Sequence, residues 1–130
     1  YEEEDSYFLP QDNNLRYEVL RNFARNAREN GYTAAFFAAD LYANEAINVF
    51  FSKNLRVPEE MSVVGFDDNV YARLSRPTLT TVRQSPRQKG VEAVRLFLKR
   101  LYGEEVLARS MELPTELIVR ESVRNIWKKN

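Results

Sequence analysis

Two aspartates follow an apolar run in the middle of the chain, where carboxylates could bind a ligand. The run 62–66 is mostly apolar, and Asp67 and Asp68 come directly after it. A buried parallel strand offers few polar groups along its length, so ligand contacts are placed at its C-terminal end. The pattern also occurs one unit earlier, since the run 33–39 leads into Asp40. Two parallel strands that each end in aspartate predict a polar cleft at one edge of a sheet.

The spacing leaves three interpretations of these acids open. Asp67 can accept paired hydrogen bonds from vicinal hydroxyls or from amide and amine groups. With another acid in register it could help to hold Mg²⁺. Alternatively, the side chains in the Asp-Asp-Asn loop that ends at Asn69 bond the local backbone in a turn. Asp40 suits capping of the next helix, a role that is compatible with ligand contact. The side-chain amide of Gln84 can both donate hydrogen bonds to a polar ligand and accept them from it.

Composition excludes several classes of function. The 130 residues fit one domain or part of a larger protein, and 44% hydrophobic content suffices for a core. The 19 basic and 19 acidic residues balance, which argues against a nucleic-acid groove in this chain. Histidine and cysteine are absent, which rules out serine–histidine catalysis and most zinc sites. We therefore expect no enzyme, no metal and no cofactor, and no apolar run approaches the ~18 residues of a membrane span.

Alternating helical and extended patterns predict an α/β fold with a mostly parallel sheet. The first helix should bury a stripe of apolar residues spaced by four, namely Leu15, Val19, Phe23 and Ala27. Ser85, Pro86 and Gln88 combine three signals of a helix start. Helices are predicted over 15–30, after Asp40, over 70–74 and over 85–102, and extended segments over 33–39, 61–66, 78–82 and 109–120. So few strands leave the apolar face of the helix 85–102 without a packing surface in this chain.

Three motifs carry a resemblance to a known family. Residues 56–68 read Arg-Val-Pro-Glu-Glu-Met-Ser-Val-Val-Gly-Phe-Asp-Asp, and residues 77–84 read Pro-Thr-Leu-Thr-Thr-Val-Arg-Gln. Residues 113–122 read Leu-Pro-Thr-Glu-Leu-Ile-Val-Arg-Glu-Ser. In this order the motifs resemble the effector-binding domain of the lactose-repressor family of bacterial transcription regulators. The resemblance implies a periplasmic-binding-protein-like fold with a ligand cleft between two subdomains, and this chain as a C-terminal fragment.

The resemblance also implies how the chain is divided. Residues 1–82 would belong to the C-terminal subdomain, with 1–13 as a loop or tail. Residues 83–107 would cross over and supply a helix that packs on an N-terminal subdomain absent from this chain. Residues 108–124 would return to the C-terminal subdomain, and 125–130 would form a tail.

Candidate ligand contacts follow from the matched motif positions. Asp67 matches the family's effector-binding aspartate, and Gln84 matches a nearby hinge position. Asp40 matches the last residue of a family Ala-Asn-Asp motif, which here reads Ala-Ala-Asp at 38–40. Ala39 cannot hydrogen-bond through its side chain, so one polar contact is missing or supplied elsewhere. Asn69 completes the candidate set.

The same resemblance predicts the partners of the protein. A homodimer is expected, and its candidate interface positions are Asn44, Ile47, Tyr71, Leu74 and Ser75. The expected function is sensing of a small molecule, a sugar in the first instance, by a cytoplasmic regulator that contacts DNA through a separate domain. Two alternatives stay open: a periplasmic-type sugar-binding protein for transport, and a sensor domain fused to a signalling enzyme.

Overall fold

Helices and strands alternate along the chain, as the sequence predicts. The computed structural model describes residues 6–104 and 110–127, so the predicted acidic tail at 1–5, the connection over 105–109 and the end of the tail at 128–130 lie outside the described residues. In chain order the elements are α1 (Asn13–Asn26), β1 (Ala34–Phe36), α2 (Asp40–Ser52), β2 (Ser62–Asp67), α3 (Val70–Leu74), β3 (Thr80–Arg83), α4 (Pro86–Leu101) and β4 (Glu116–Ile118).

The strands form one mostly parallel sheet in the order β1-β2-β3-β4, which confirms the predicted fold class. β1, β2 and β3 run parallel, and β4 pairs antiparallel with β3. The first strand is shorter than the predicted run 33–39. Its pairing ends where the Phe37 N–H donates to the Val64 carbonyl at 2.8 Å, since the chain then turns into α2.

The buried face of α1 differs from the predicted stripe. Leu15 is 53% exposed, whereas Leu20 and Ala24 are buried in the core with Phe50 of α2. The stripe is correct toward its C-terminal end, where Ala27 is buried and Phe23 packs against the core. It is wrong at the start of the helix, because Arg16 and not Leu15 occupies the buried face there. A charged side chain at such a position is not visible in hydrophobic periodicity.

Arg16 can be buried because each of its side-chain N–H donors has a partner, among them Asn13 Oδ1, which accepts from Nη2 at 2.6 Å. Its Nε donates to Glu45 Oε2 at 2.6 Å and its Nη2 to Glu45 Oε1 at 3.0 Å. Its Nη1 donates to the carbonyl oxygens of Pro10 and Gln11 at 3.0 and 2.8 Å. This bidentate pair fixes the segment before α1 onto α2.

Helix α4 begins and ends as predicted. The Ser85 hydroxyl accepts from the Gln88 N–H at 3.2 Å, and Pro86 is the first helical residue. Gly103 follows the helix with φ 77°, a conformation that favours glycine. No α4 residue is buried, and its apolar side chains lie open to solvent within the described part of the chain, namely Val91, Val94, Phe97, Leu98 and Leu101.

Acid should weaken the contacts of Glu60. Its carboxylate accepts hydrogen bonds from Arg28 at 2.8 Å and from Arg56 at 3.0 Å, and these partners lower the pKa of Glu60 to about 2. Because the folded pKa lies below the unfolded one, this stability is present above the unfolded pKa and is lost as the pH falls toward 2. The melting temperature of Glu60→Gln should therefore lie furthest below that of wild type near neutral pH.

The difference in melting temperature between Glu60→Gln and wild type should shrink as the pH falls through about 4. Glu59→Gln, at an exposed neighbouring position, is the charge-matched control. A Glu60→Gln difference that stays constant between neutral pH and about pH 3 would contradict this origin of the stability.

Candidate functional site

The ends of β2 and β3 meet the start of α4 at one edge of the sheet. They line an open concavity of about 480 Å³, whose residues are Asp67, Asp68, Asn69, Arg73, Arg83, Gln84 and Pro86. The sequence predicted a cleft between the strand ends that carry Asp40 and Asp67, whereas this concavity lies at the ends of β2 and β3 and is not lined by Asp40. Among the described residues, no group of three or more acidic side chains is arranged to hold a metal ion.

Asp67 and Gln84 lie together in this concavity. Gln84 Nε2 donates to Asp67 Oδ1, and Lys89 Nζ donates to Gln84 Oε1. The second carboxylate oxygen of Asp67 accepts no hydrogen bond from the part of the chain that the structure describes. Asp67 is half-buried, so a ligand can reach this oxygen.

The backbone at the end of β2 is unusual. Asp67 has φ 116° and Asp68 has φ 55°, both in the region that favours glycine. Residues held there cost about 1–3 kcal/mol each and persist only where surrounding contacts fix them. Here the fixing contacts are the hydrogen bonds of the two carboxylates.

Asp68 is a buried ion-pair partner. Its side chain is 2% exposed, and its oxygens accept from Arg83 Nε at 2.7 Å and from Arg120 Nη2. Burial raises the pKa of Asp68, but the hydrogen bonds and charges of the two arginines more than offset this and hold it below its usual value.

Asp40 lies beneath the concavity and does not cap α2, so the predicted cap is wrong. Ala39 occupies the cap position without a side-chain hydrogen bond, and Asp40 instead bonds two distant segments. Its Oδ1 accepts from Thr81 Oγ1 at 2.6 Å and its Oδ2 from the Asn69 N–H at 2.8 Å. With 0% exposure, its placement does not fit the expected ligand contact.

Burial also raises the pKa of Asp40, against the opposing effect of these two hydrogen bonds. The neighbouring charges of Asp67 and Asp68 raise it further. Asp40 is thus a buried acid that connects the start of α2 to the loop after β2 and to β3.

Gly65 makes room for Asp40. A Cβ at this position would lie 2.3 Å from Asp40 Oδ1 and 2.7 Å from Leu79 Cδ2. The glycine of the Gly-Phe-Asp motif is therefore required by this close approach.

The side chain of Asn69 makes a local hydrogen bond and also faces the concavity. Its side-chain oxygen accepts from the Tyr71 N–H at 2.9 Å and caps α3, which is the turn chemistry considered as an alternative. Its side chain also lines the concavity.

Several charged residues of this region were missed from the sequence. Arg73 and Arg83 line the concavity, and Lys89 reaches Gln84 from α4. Arg83 could have been predicted, because it directly precedes Gln84 in the motif 77–84. Nothing in the spacing indicated that Arg120 would reach Asp68 from a segment 52 residues away.

The candidate interface residues divide into exposed and buried positions. Leu74 is 66% exposed and Tyr71 is also exposed, while Asn44 is partly buried. Ile47 and Ser75 are buried inside the fold, because Ile47 packs in the core and the Ser75 hydroxyl donates to the Ala72 carbonyl at 3.3 Å. These two residues offer no free surface, so including them was an error.

Comparison with known proteins adds the family to this geometry. Residues 5–123 match the family model described as the periplasmic binding protein-like domain. The chain belongs to this family. It is 34% identical to the HTH-type transcriptional repressor PurR of Mannheimia succiniciproducens over 92% of the chain, which spans 34% of that relative.

Solved structures agree with this assignment. A transcriptional regulator CelR–cellobiose complex is 35% identical, with a TM-score of 0.71 over 82% of this chain and 33% of that one. The lac repressor dimer bound to operator and the anti-inducer ONPF is 28% identical, with a TM-score of 0.70 over 81% of this chain and 37% of that one.

These matches confirm the resemblance to the effector-binding domain of lactose-repressor-type regulators. The relatives named above are transcription repressors and regulators and not enzymes, which agrees with the sequence-based expectation. The chain spans about a third of the length of the curated relatives it matches. No helix among the described residues is long and apolar enough to cross a membrane.

Proposed function

We propose that this chain is the small-molecule sensing part of a cytoplasmic transcription regulator, and that the ligand binds at Asp67 and Gln84. The hydrogen bond between these residues carries the proposal, because it joins the end of β2 to the segment that leads into α4. The free oxygen of Asp67 suits a ligand hydroxyl. The similarity to a transcriptional repressor and to a transcriptional regulator bound to cellobiose supports regulation over transport or a fused signalling enzyme.

A sugar is the favoured ligand class. A carboxylate can accept from two vicinal hydroxyls, and such charge-assisted bonds contribute about 1.5–3 kcal/mol each. Arg73 and Lys89 add positive charge near Asp67. A sugar that also carries a phosphate would match this mixture of charges, so phosphosugars belong among the ligands to be tested first.

Helix α4 would transmit ligand binding. Its exposed apolar face would pack on a second subdomain, as the proposed crossover at 83–107 requires, while 1–82 and 108–124 form the first subdomain. A ligand held between the subdomains would favour a closed arrangement and shift the population of DNA-binding molecules. DNA would be contacted by a domain outside this chain.

Calorimetric titration of the full-length protein tests this function. The panel contains neutral sugars, phosphosugars, purines and amino acids, and each binder is then added to the protein on its operator DNA. Saturable binding of a sugar or phosphosugar that changes operator affinity supports the proposal. Binding only of purines or amino acids would contradict the sugar class, and binding that leaves operator affinity unchanged would contradict the sensing function.

Tyr71 and Leu74 are the proposed contacts of a homodimer. They form an exposed apolar pair on α3, and the lac repressor structure is named as a dimer. Leu74→Asp places a charge in this contact and should raise the dimer dissociation constant of the full-length protein at least tenfold. Sedimentation velocity measures the change.

Leu15→Asp is the matched control, since Leu15 is exposed on α1 and lies outside the proposed contact. It should leave the dimer unchanged. An unchanged dimer in Leu74→Asp would exclude this surface as the interface.

A further inference from the structure

The two adjacent acids at the end of β2 have different partners. Asp67 bonds Gln84 in the concavity, whereas Asp68 bonds Arg83 and Arg120. Both backbones lie in the left-handed region, so the chain turns sharply here and sends the carboxylates to separate places. Asp68 is buried and fully occupied, which leaves it no oxygen for a ligand.

Asp68 joins two segments that lie far apart in the chain. Arg83 is the last residue of β3 and directly precedes Gln84. Arg120 follows β4 and is itself fixed to the start of β3, because its N–H donates to Thr80 Oγ1 at 2.8 Å and its Nη1 to the carbonyl of the preceding Leu79 at 2.8 Å. One carboxylate therefore holds the segment that leaves toward α4 and the segment that returns through β4.

The charges of this cluster balance around Asp68. Arg83 also donates from Nη1 to Glu116 Oε2 at 3.1 Å, so two arginines face two carboxylates. Glu116 is exposed, whereas Asp68 is buried. Without the Asp68 charge, Arg83 would keep only its exposed partner Glu116, and water competes effectively for such an exposed pair. Arg120 would keep the Leu79 carbonyl but would lose its carboxylate partner.

We infer that Asp68 is a positioning residue that acts through Arg83. By holding Arg83 it places the next residue, Gln84, against Asp67 and so keeps the ligand-binding pair in register. The effect on ligand affinity rests on the proposed function. The effect on the geometry of Gln84 does not.

A ligand-free crystal structure of full-length Asp68→Asn tests the geometry directly. Asparagine has the same shape but cannot accept from both arginines. The expected result is that Arg83 moves and the Gln84–Asp67 hydrogen bond is lost, while β2 and β3 stay paired. A retained Gln84–Asp67 bond would overturn the inference.

Glu116→Gln is the matched control, because it removes the exposed carboxylate from the same arginine. Asp68→Asn should weaken binding of the titrated sugar at least fivefold, and Glu116→Gln less than twofold. Equal losses in the two variants, or no loss in Asp68→Asn, would overturn the role. If wild type binds no member of the panel, the proposed function fails, and the ligand-free structure still decides the positioning role.

Arg83→Gln is the second variant if Asp68→Asn does not fold. It leaves Asp68 in place but removes the guanidinium group through which Asp68 is inferred to act. A partial shift of Gln84 away from Asp67 supports the inference, and an unmoved Gln84 contradicts it.

Discussion

Replacing Asp67 by alanine should weaken ligand binding to the full-length protein at least tenfold. The carboxylate is expected to accept charge-assisted hydrogen bonds of about 1.5–3 kcal/mol each, and about 1.4 kcal/mol corresponds to a tenfold change in affinity. Alanine also removes the acceptor of the Gln84 amide, so Gln84, the second proposed ligand contact, is no longer held in place by Asp67. Calorimetry with the sugar identified in the panel measures the change.

Asp12→Ala is the control with the same change of charge. Asp12 accepts from the Leu15 N–H at the start of α1 and lies outside the concavity, so ligand affinity should change less than twofold. Asp67→Asn should bind with intermediate affinity, since the amide keeps one acceptor but loses the charge. Wild-type affinity in Asp67→Ala would remove Asp67 from the site.

Replacing Gly65 by alanine should destabilise the protein by at least about 2 kcal/mol. The added Cβ would overlap Asp40 Oδ1, and Asp40 cannot withdraw without breaking its bonds to Thr81 and Asn69. Leu79 blocks the other direction, since its Cδ2 would lie 2.7 Å from the Cβ. A lost hydrogen bond would leave a buried polar group unpaired, which adds to the steric cost.

Denaturant unfolding of the full-length protein measures this difference. Asn22→Ala is the control, because Asn22 is exposed within α1 and lies outside the contact between Gly65 and Asp40. In a helix interior alanine is favoured over asparagine, so this variant should be neutral or more stable. A Gly65→Ala protein as stable as wild type would mean that Asp40 is not fixed as the structure shows.

Local signals predicted most elements of the fold. The Ser85 cap and the glycine after α4 fix the bounds of that helix through contacts within a few residues. The start of the α1 stripe was placed wrongly because Arg16 is buried by a partner 29 residues away. Periodicity counts apolar residues and cannot show that a charge will be neutralised by another helix.

In the candidate site, too, the sequence predicted the residues that belong to motifs and missed the contacts between distant segments. Asp67 and Gln84 were found through motifs, and the structure brings them into contact. The role of Asp40 was misjudged because its partners, Asn69 and Thr81, lie 29 and 41 residues away. Position before a helix suggested a cap, whereas the sheet places two other donors closer to its oxygens.

A crystal structure of the full-length protein with its tightest-binding ligand would show whether the ligand binds at Asp67. We predict a ligand oxygen or nitrogen within about 3.2 Å of the Asp67 carboxylate, with Gln84 contacting the same ligand. A ligand bound elsewhere, with Asp67 still paired only to Gln84, would contradict the proposed site.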